Sequence, residues 1–265
     1  MTSALFVPEA DGYRATDYCR GPWSPDTLHG GPVVGLLAHA VEDEARRLSP
    51  SLRCSRLTIE MHQPVPLGLL TTSARVVKPG RRSAVIDSEI LTEGVRVARA
   101  TSQWLAQPTE PSQPAAVDRS LPERPVTASD PRASGLFDYP RPGFNCEASE
   151  LRYVEGSHET PGPGVTWIRL RSPVVDGRAT SPFVRAATVS DLAAAAGWDR
   201  SPTGANYINP DVTLHLARDP RGPWLMLDAH LLHGSGSGLM TAGLADDQGS
   251  IGHILQSLVE VPRQF

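Results

Sequence analysis

The sequence predicts an α+β protein built from two copies of one unit, each a helix followed by a run of antiparallel strands. Three observations carry that prediction. First, the chain repeats its own layout. Shifted by 155 positions (213 minus 58), Thr58-Ile-Glu-Met falls on Thr213-Leu-His-Leu. Without a gap, Val76-Val77 then meets Leu231-Leu232, and the Glu93-Gly94 turn meets Gln248-Gly249. A period this long, seen twice, is not a solenoid, whose units run to roughly 20–50 residues and number three or more. Second, apolar residues change from helical to alternating spacing in the same order in both halves. Third, a stretch rich in Pro, Ser, Glu and Arg separates the halves and holds no sustained period.

The elements follow in order. Thr27-Leu-His-Gly-Gly-Pro opens a helix to Arg47. Thr27 or His29 lies near the cap, Pro32 suits the first turn, and Val33, Leu36, Leu37, Ala40 and Val41 form an apolar stripe. In the strand Arg56–Met61, the residues Leu57, Ile59 and Met61 share a face. Strands Leu70–Val77 and Ser83–Leu91 flank the breaker-rich turn Lys78-Pro-Gly-Arg-Arg, and Gly94 turns the chain into Val95–Leu105. Residues 107–149 read as a linker, so residues 1–106 and 150–265 form the two repeats. Strand character resumes at Leu151–Val154 and Val165–Leu170. Ser181-Pro-Phe-Val leads into a short alanine-rich helix over Ala187–Trp198. Strands at Val212–Leu216, Trp224–Leu232, Leu239–Asp246 and Ser250–Val261 close the second half.

Composition narrows the function classes. The 265 residues suffice for one large domain or two of about 110–130 residues, each able to bury a core. A net charge of −4 and scattered arginines describe no nucleic-acid groove. No apolar run approaches the ~20 residues of a membrane span, and the first residues carry no signal-peptide pattern. Cys19, Cys54 and Cys146 are odd in number and far apart, which argues against a disulfide framework or a zinc site. The expectation is a cytoplasmic protein with no metal and no cofactor. An exposed antiparallel edge would favour a homodimer or larger assembly.

Four segments carry a family resemblance over nearly the whole chain apart from the linker. They are His29-Gly-Gly-Pro-Val-Val-Gly-Leu-Leu, Val189-Ser-Asp-Leu-Ala, Tyr207-Ile-Asn-Pro-Asp-Val-Thr-Leu-His-Leu and His253-Ile-Leu-Gln-Ser-Leu-Val. In that order they resemble the TesB-like acyl-CoA thioesterases. The resemblance implies a double hotdog, in which each copy wraps an antiparallel sheet around its helix. It also implies hydrolysis of an acyl-CoA or acyl-carrier-protein thioester.

Candidate site residues follow. Asp191 stands at the start of a helix otherwise built from Leu and Ala, where a carboxylate either caps or serves as a base. The resemblance implies the base, because the family's catalytic Asp occupies this helix. Gln256 interrupts an apolar strand, and a glutamine on an exposed strand face is commonplace. The resemblance implies that it holds the attacking water. The ungapped repeat puts Thr101 opposite Gln256, with Gln103 nearby, so one site per chain is expected. Where the family uses a threonine, this sequence has Asn209, with Thr213 four residues on. Asn209 is a departure that could orient water or merely turn the chain before Pro210. Gly30 and Gly31 either offer backbone N–H groups at a helix N-terminus to a developing oxyanion or simply form a tight loop into the helix, and His29 either touches substrate or, as a lone His beside a cap more often does, serves the structure. Gly234-Ser-Gly-Ser-Gly does not match a nucleophile elbow, since its middle residue is Gly236.

Two rivals stand beside the hydrolase. A hotdog dehydratase would pair a histidine with an acid, and the sequence places no histidine beside Asp191. A non-catalytic hotdog that binds acyl chains accords with the Asn209 departure.

Overall fold

The computed structural model describes residues 3–107, 121–134, 142–199 and 204–261. Each half contributes two strands, a helical segment and a further run of strands. The first half comprises β1 (Phe6–Glu9), β2 (Gly12–Ala15), α1 (Gly30–Leu48), β3 (Leu52–Met61), β4 (Leu69–Lys78), β5 (Ser83–Thr92) and β6 (Val95–Ala106). The second comprises β7 (Ser149–Glu155), β8 (Gly164–Leu170), α2 (Pro182–Ser190), α3 (Ala193–Ala196), β9 (Asn206–Ile208), β10 (Asp211–Leu216), β11 (Trp224–His233), β12 (Ser237–Asp246) and β13 (Gly249–Val261). The β1–β2 hairpin ahead of α1 has no counterpart in the sequence reading. Its strands are only four residues long, too short for alternation to register.

The strands form one sheet in the order β1-β2-β4-β5-β6-β3-β10-β13-β12-β11-β8-β7, with β9 on β13. Read from either end, the order is the same for equivalent elements. The halves join at β3 and β10, where Thr58 lies opposite Thr213, Leu57 opposite Leu214 and Ile59 opposite Val212. Thr58 and Thr213 are the residues that the 155-position shift superposes. The twofold relation of the copies therefore passes through this pair, where the Thr213 hydroxyl donates to that of Thr58 at 3.3 Å.

The core lies between this sheet and the helices. In β5, Ala84, Ile86 and Ile90 point inward at alternate positions with Ser88, and in β13 Ile254, Gln256 and Leu258 do the same. α1 is buried almost all round in its first turns because the sheet covers one side and α2 the other. The two helices meet at Gly35, where a Cβ would lie 2.4 Å from Thr188 Oγ1.

Each end of the sheet carries a contact from the chain itself. β1 bridges Val175 while Leu5 and Phe6 donate to Pro173 and Val174, and β7 bridges Ser129. Where it is described, the segment between the repeats packs against the second one, while 108–120 and 135–141 lie outside the described residues. Arg124 stacks on Trp167 and Trp224 and pairs with Asp247. A single π-helical turn at Phe144–Ala148 drives Phe144 fully into the core.

Candidate active site

The second helical segment places the key carboxylate. Its helix begins at Pro182, not Ala187. Ser181 accepts the Val184 N–H at 3.1 Å, and proline occupies the first turn, where its missing N–H costs nothing. The segment then breaks at Asp191–Leu192 before resuming as α3. Asp191 therefore ends α2, and Ser190 does not cap a following helix but donates back to Ala187 O at 2.7 Å. A buried carboxylate at a helix C-terminus is opposed by both the helix dipole and desolvation. Asp191 is 4% exposed. A residue placed against its local electrostatics marks a candidate functional site.

Its surroundings compensate. Asn209, in the connection from β9 to β10, donates Nδ2–H to Asp191 Oδ1 at 2.7 Å. His29 Nδ1 lies 2.9 Å from Asp191 Oδ2, but it accepts the Gly31 N–H at 3.0 Å, capping α1, and in that role has no proton to give the carboxylate. The carboxylate thus faces the N-terminus of α1, the positive end of the longest helix. It sits so close that a Cβ on Gly30 would be 2.5 Å from Oδ1 and 2.6 Å from Oδ2. Phe144 packs on the His29 ring, with centroids 4.8 Å apart, and fills the space beside Gly31.

Gln256 lies on the buried face of β13, not on an exposed one. Its Nε2 donates to the carbonyls of Ser190 and Asp191, both at 3.2 Å, and so clamps the helix break from below. The opposite amide orientation would press Oε1 against two carbonyl oxygens, so the assignment is chemically fixed. Oε1 is buried without a protein partner. Thr213 stands apart on the β3–β10 seam and does not reach the cavity beside Asp191.

That cavity, about 120 Å³, is lined by His29, Gly30, Asp191 and Asn209. Ala195, Leu231, Met240 and Leu258 supply apolar wall, and Trp23, Trp198 and Tyr207 supply aromatic wall. Asp199 and Asn206 also line it, and two buried polar residues there escaped the sequence reading as well. Asn145 arrives on the π-helical turn of the presumed linker, and His158 on the loop between β7 and β8. Burial pushes the His158 imidazole down to about 4. Neither lies in a periodic element or a motif, so no signal in the sequence singles them out. Among the described residues, no three His, Cys, Asp or Glu side chains converge to hold a metal ion. No helix among them is long and apolar enough to cross a membrane.

Comparison with known families decides the assignment. The model of the acyl-CoA thioesterase N-terminal domain matches residues 19–104, and that of the C-terminal domain matches residues 108–259. The chain belongs to the acyl-CoA thioesterase family. Its chemistry is accordingly thioester hydrolysis. Solved structures share the fold of this thioesterase along its length. A protein from Thermobifida fusca YX, provisionally named thioesterase II, is 20% identical, covers 99% of this chain and 100% of its own, and gives a TM-score of 0.70. A hot dog protein of unknown function from Alicyclobacillus acidocaldarius is 15% identical over 98% of this chain and 96% of its own, also at 0.70. An acyl-CoA thioesterase II, TesB2, from Mycobacterium marinum is 15% identical over 96% and 93%, at 0.64. These likenesses establish the double hotdog. Comparison with curated proteins finds no match.

Proposed function

We propose that the thioesterase hydrolyses acyl-CoA at the cavity beside Asp191, with Asp191 as general base. The observation that carries this reading is the buried Asp191 carboxylate, held by Asn209 and lying against the N-terminus of α1 beside His29. Water attacks the thioester carbonyl carbon and gives its proton to Asp191. The tetrahedral intermediate expels the coenzyme A thiolate, which takes a proton back, leaving a carboxylic acid. The Gly30 N–H, which has no acceptor within its helix, meets the oxyanion. Asn209 fixes the orientation of the carboxylate, and Gln256 fixes the backbone that carries it. Gln256 Oε1 is buried without a partner behind that backbone, where an acceptor for water is left free. Thr213 has no part in this scheme.

The test is thiol release from acyl-CoAs ranging from acetyl to stearoyl, with wild type and Asp191→Asn side by side. The variant should lose at least about a hundredfold in turnover, the low end of general-base contributions. Near-wild-type turnover in Asp191→Asn would remove the assignment. An acyl-carrier-protein substrate of the same chain length, run in parallel, decides which thiol is preferred.

One observation favours a second reading. The sequence placed no histidine beside Asp191, yet His29 Nδ1 lies 2.9 Å from it. A His–Asp pair is the apparatus of a dehydratase on hydroxyacyl thioesters. Enoyl-thioester formation from a hydroxyacyl-CoA without thiol release would establish that chemistry instead.

A further inference from the structure

Two residues of the cavity wall carry buried polar atoms without a partner, and neither belongs to the group around Asp191. Asn145 is 5% exposed and His158 is 7% exposed. Asn145 Oδ1 and His158 Nε2 are both shielded from solvent and unbonded. Hydrogen-bond logic fixes what His158 offers. The Tyr153 hydroxyl donates its proton to Ala195 O at 2.9 Å, so its 3.4 Å contact with His158 Nδ1 is one in which Nδ1–H donates. Nε2 then carries a lone pair. The low proton affinity of the buried ring keeps it in that neutral form. As placed, both orphans are acceptors, His158 by its tautomer and Asn145 by its amide oxygen, and buried polar groups ordinarily find partners.

The room beside them is small. At about 120 Å³ it is comparable with the ~150 Å³ of a cavity that holds one benzene, room that suits a short acyl head. We infer that Asn145 and His158 form a donor-reading subsite that selects short acyl thioesters presenting an O–H or N–H to these two acceptors. The donor belongs either to a hydroxyl on the acyl chain or to an amide of the pantetheine arm. The inference rests on the thioester reading of the cavity, but not on turnover.

The experiment is calorimetric binding of three probes that cannot be hydrolysed. They are the S-butyl thioether of coenzyme A, the same thioether bearing a hydroxyl on its chain, and free coenzyme A. Each is titrated into wild type, Asn145→Leu and His158→Phe, with melting curves to verify folding. If the chain hydroxyl is read, wild type binds the hydroxylated thioether about tenfold tighter than the plain one, and either variant abolishes the preference. If a pantetheine amide is read, both variants weaken all three probes by the same factor. His158→Gln, which restores an acceptor, should recover part of either effect, whereas a packing role would not distinguish Gln from Phe. A wild type indifferent to the hydroxyl, together with variants that bind all three probes as wild type does, would overturn the proposal and leave a subsite that merely holds water. Hydrolysis assays on the same proteins report separately on the hydrolase reading, which can fail while this binding pattern stands.

Discussion

Replacing Gly30 by alanine separates catalysis from stability in this fold. Gly30 opens α1, and its backbone is not in the left-handed region, so alanine can adopt the conformation. Ala in place of Gly in a helix removes backbone entropy from the unfolded chain, a gain of about 0.4–1 kcal/mol. The obstacle is the added methyl. It would lie 2.5 Å from Asp191 Oδ1 and 2.6 Å from Oδ2, where ordinary contact begins at 3.4 Å. The carboxylate must retreat by about 1 Å, and a misplacement of that size typically costs ~10²-fold in rate. Asp191 is the far end of a rotatable side chain, so the retreat disturbs little packing. It does loosen the 2.7 Å bond from Asn209 and the 2.9 Å contact with His29.

The assay is steady-state thiol release alongside thermal melting. The expected result is a kcat reduced by roughly a hundredfold, with a Tm equal to or above that of wild type. A Gly30→Ala enzyme with unchanged kcat would refute the reasoning, since the carboxylate would then not need its observed position. A lowered Tm would show instead that the methyl is accommodated by moving α1, not Asp191.

Three further outcomes are expected. Asn209→Ala strips Asp191 Oδ1 of its amide donor, a charge-assisted bond worth about 1.5–3 kcal/mol, so Tm should fall by several degrees, and kcat should fall by roughly ten- to a hundredfold as the carboxylate loses its fixed orientation. Stability should fall as pH drops through the window set by His158. Between its ordinary 6.5 and its folded value of about 4, the unfolded chain binds a proton that the folded chain does not. From pH 7 to pH 5 this costs about 2 kcal/mol, levelling off below pH 4, and urea titrations of His158→Phe should lack that component. Across the acyl-CoA panel, kcat/KM should peak at short chains, since the room beside Asp191 is about 120 Å³. A maximum at palmitoyl would mean that the wall of Met240 and Leu258 opens on binding.

The fold was legible because duplication writes the same pattern twice. The shift that superposes Thr58 on Thr213 is also the register of the seam, so a weak similarity between strands carried real spatial information. Asp191, Gln256 and Asn209 were legible through their order along the chain. What the sequence misrepresented was their setting. Asp191 looked like the start of an alanine-rich helix because the Ser181-Pro182 signal lies ten residues upstream, and a helix break leaves no local mark when both flanks are helix formers. Gln256 looked exposed because alternation along β13 does not say which face meets the helices. Asn145 and His158 were invisible for a different reason: they sit in irregular segments whose path is set by tertiary packing, with Phe144 as the anchor.

The two copies contribute different parts to the proposed site, and the asymmetry accords with one site per chain. The first copy keeps a long continuous helix and contributes its N-terminus, Gly30 and the His29 cap. The second breaks its helix and contributes the acid at the break, with Asn209 and Gln256 from its own strands holding it. At the position equivalent to Gln256 the first copy has Thr101, whose hydroxyl donates to Asp87 at 2.9 Å rather than to a helix carbonyl. A clamp of that kind is needed only where the helix is interrupted. Because α1 runs unbroken, the first copy has neither the exposed carbonyls to clamp nor the break that would present an acid. The carboxylate of one copy and the helix N-terminus of the other meet only when both halves are present, so the fused sheet is itself what assembles the site.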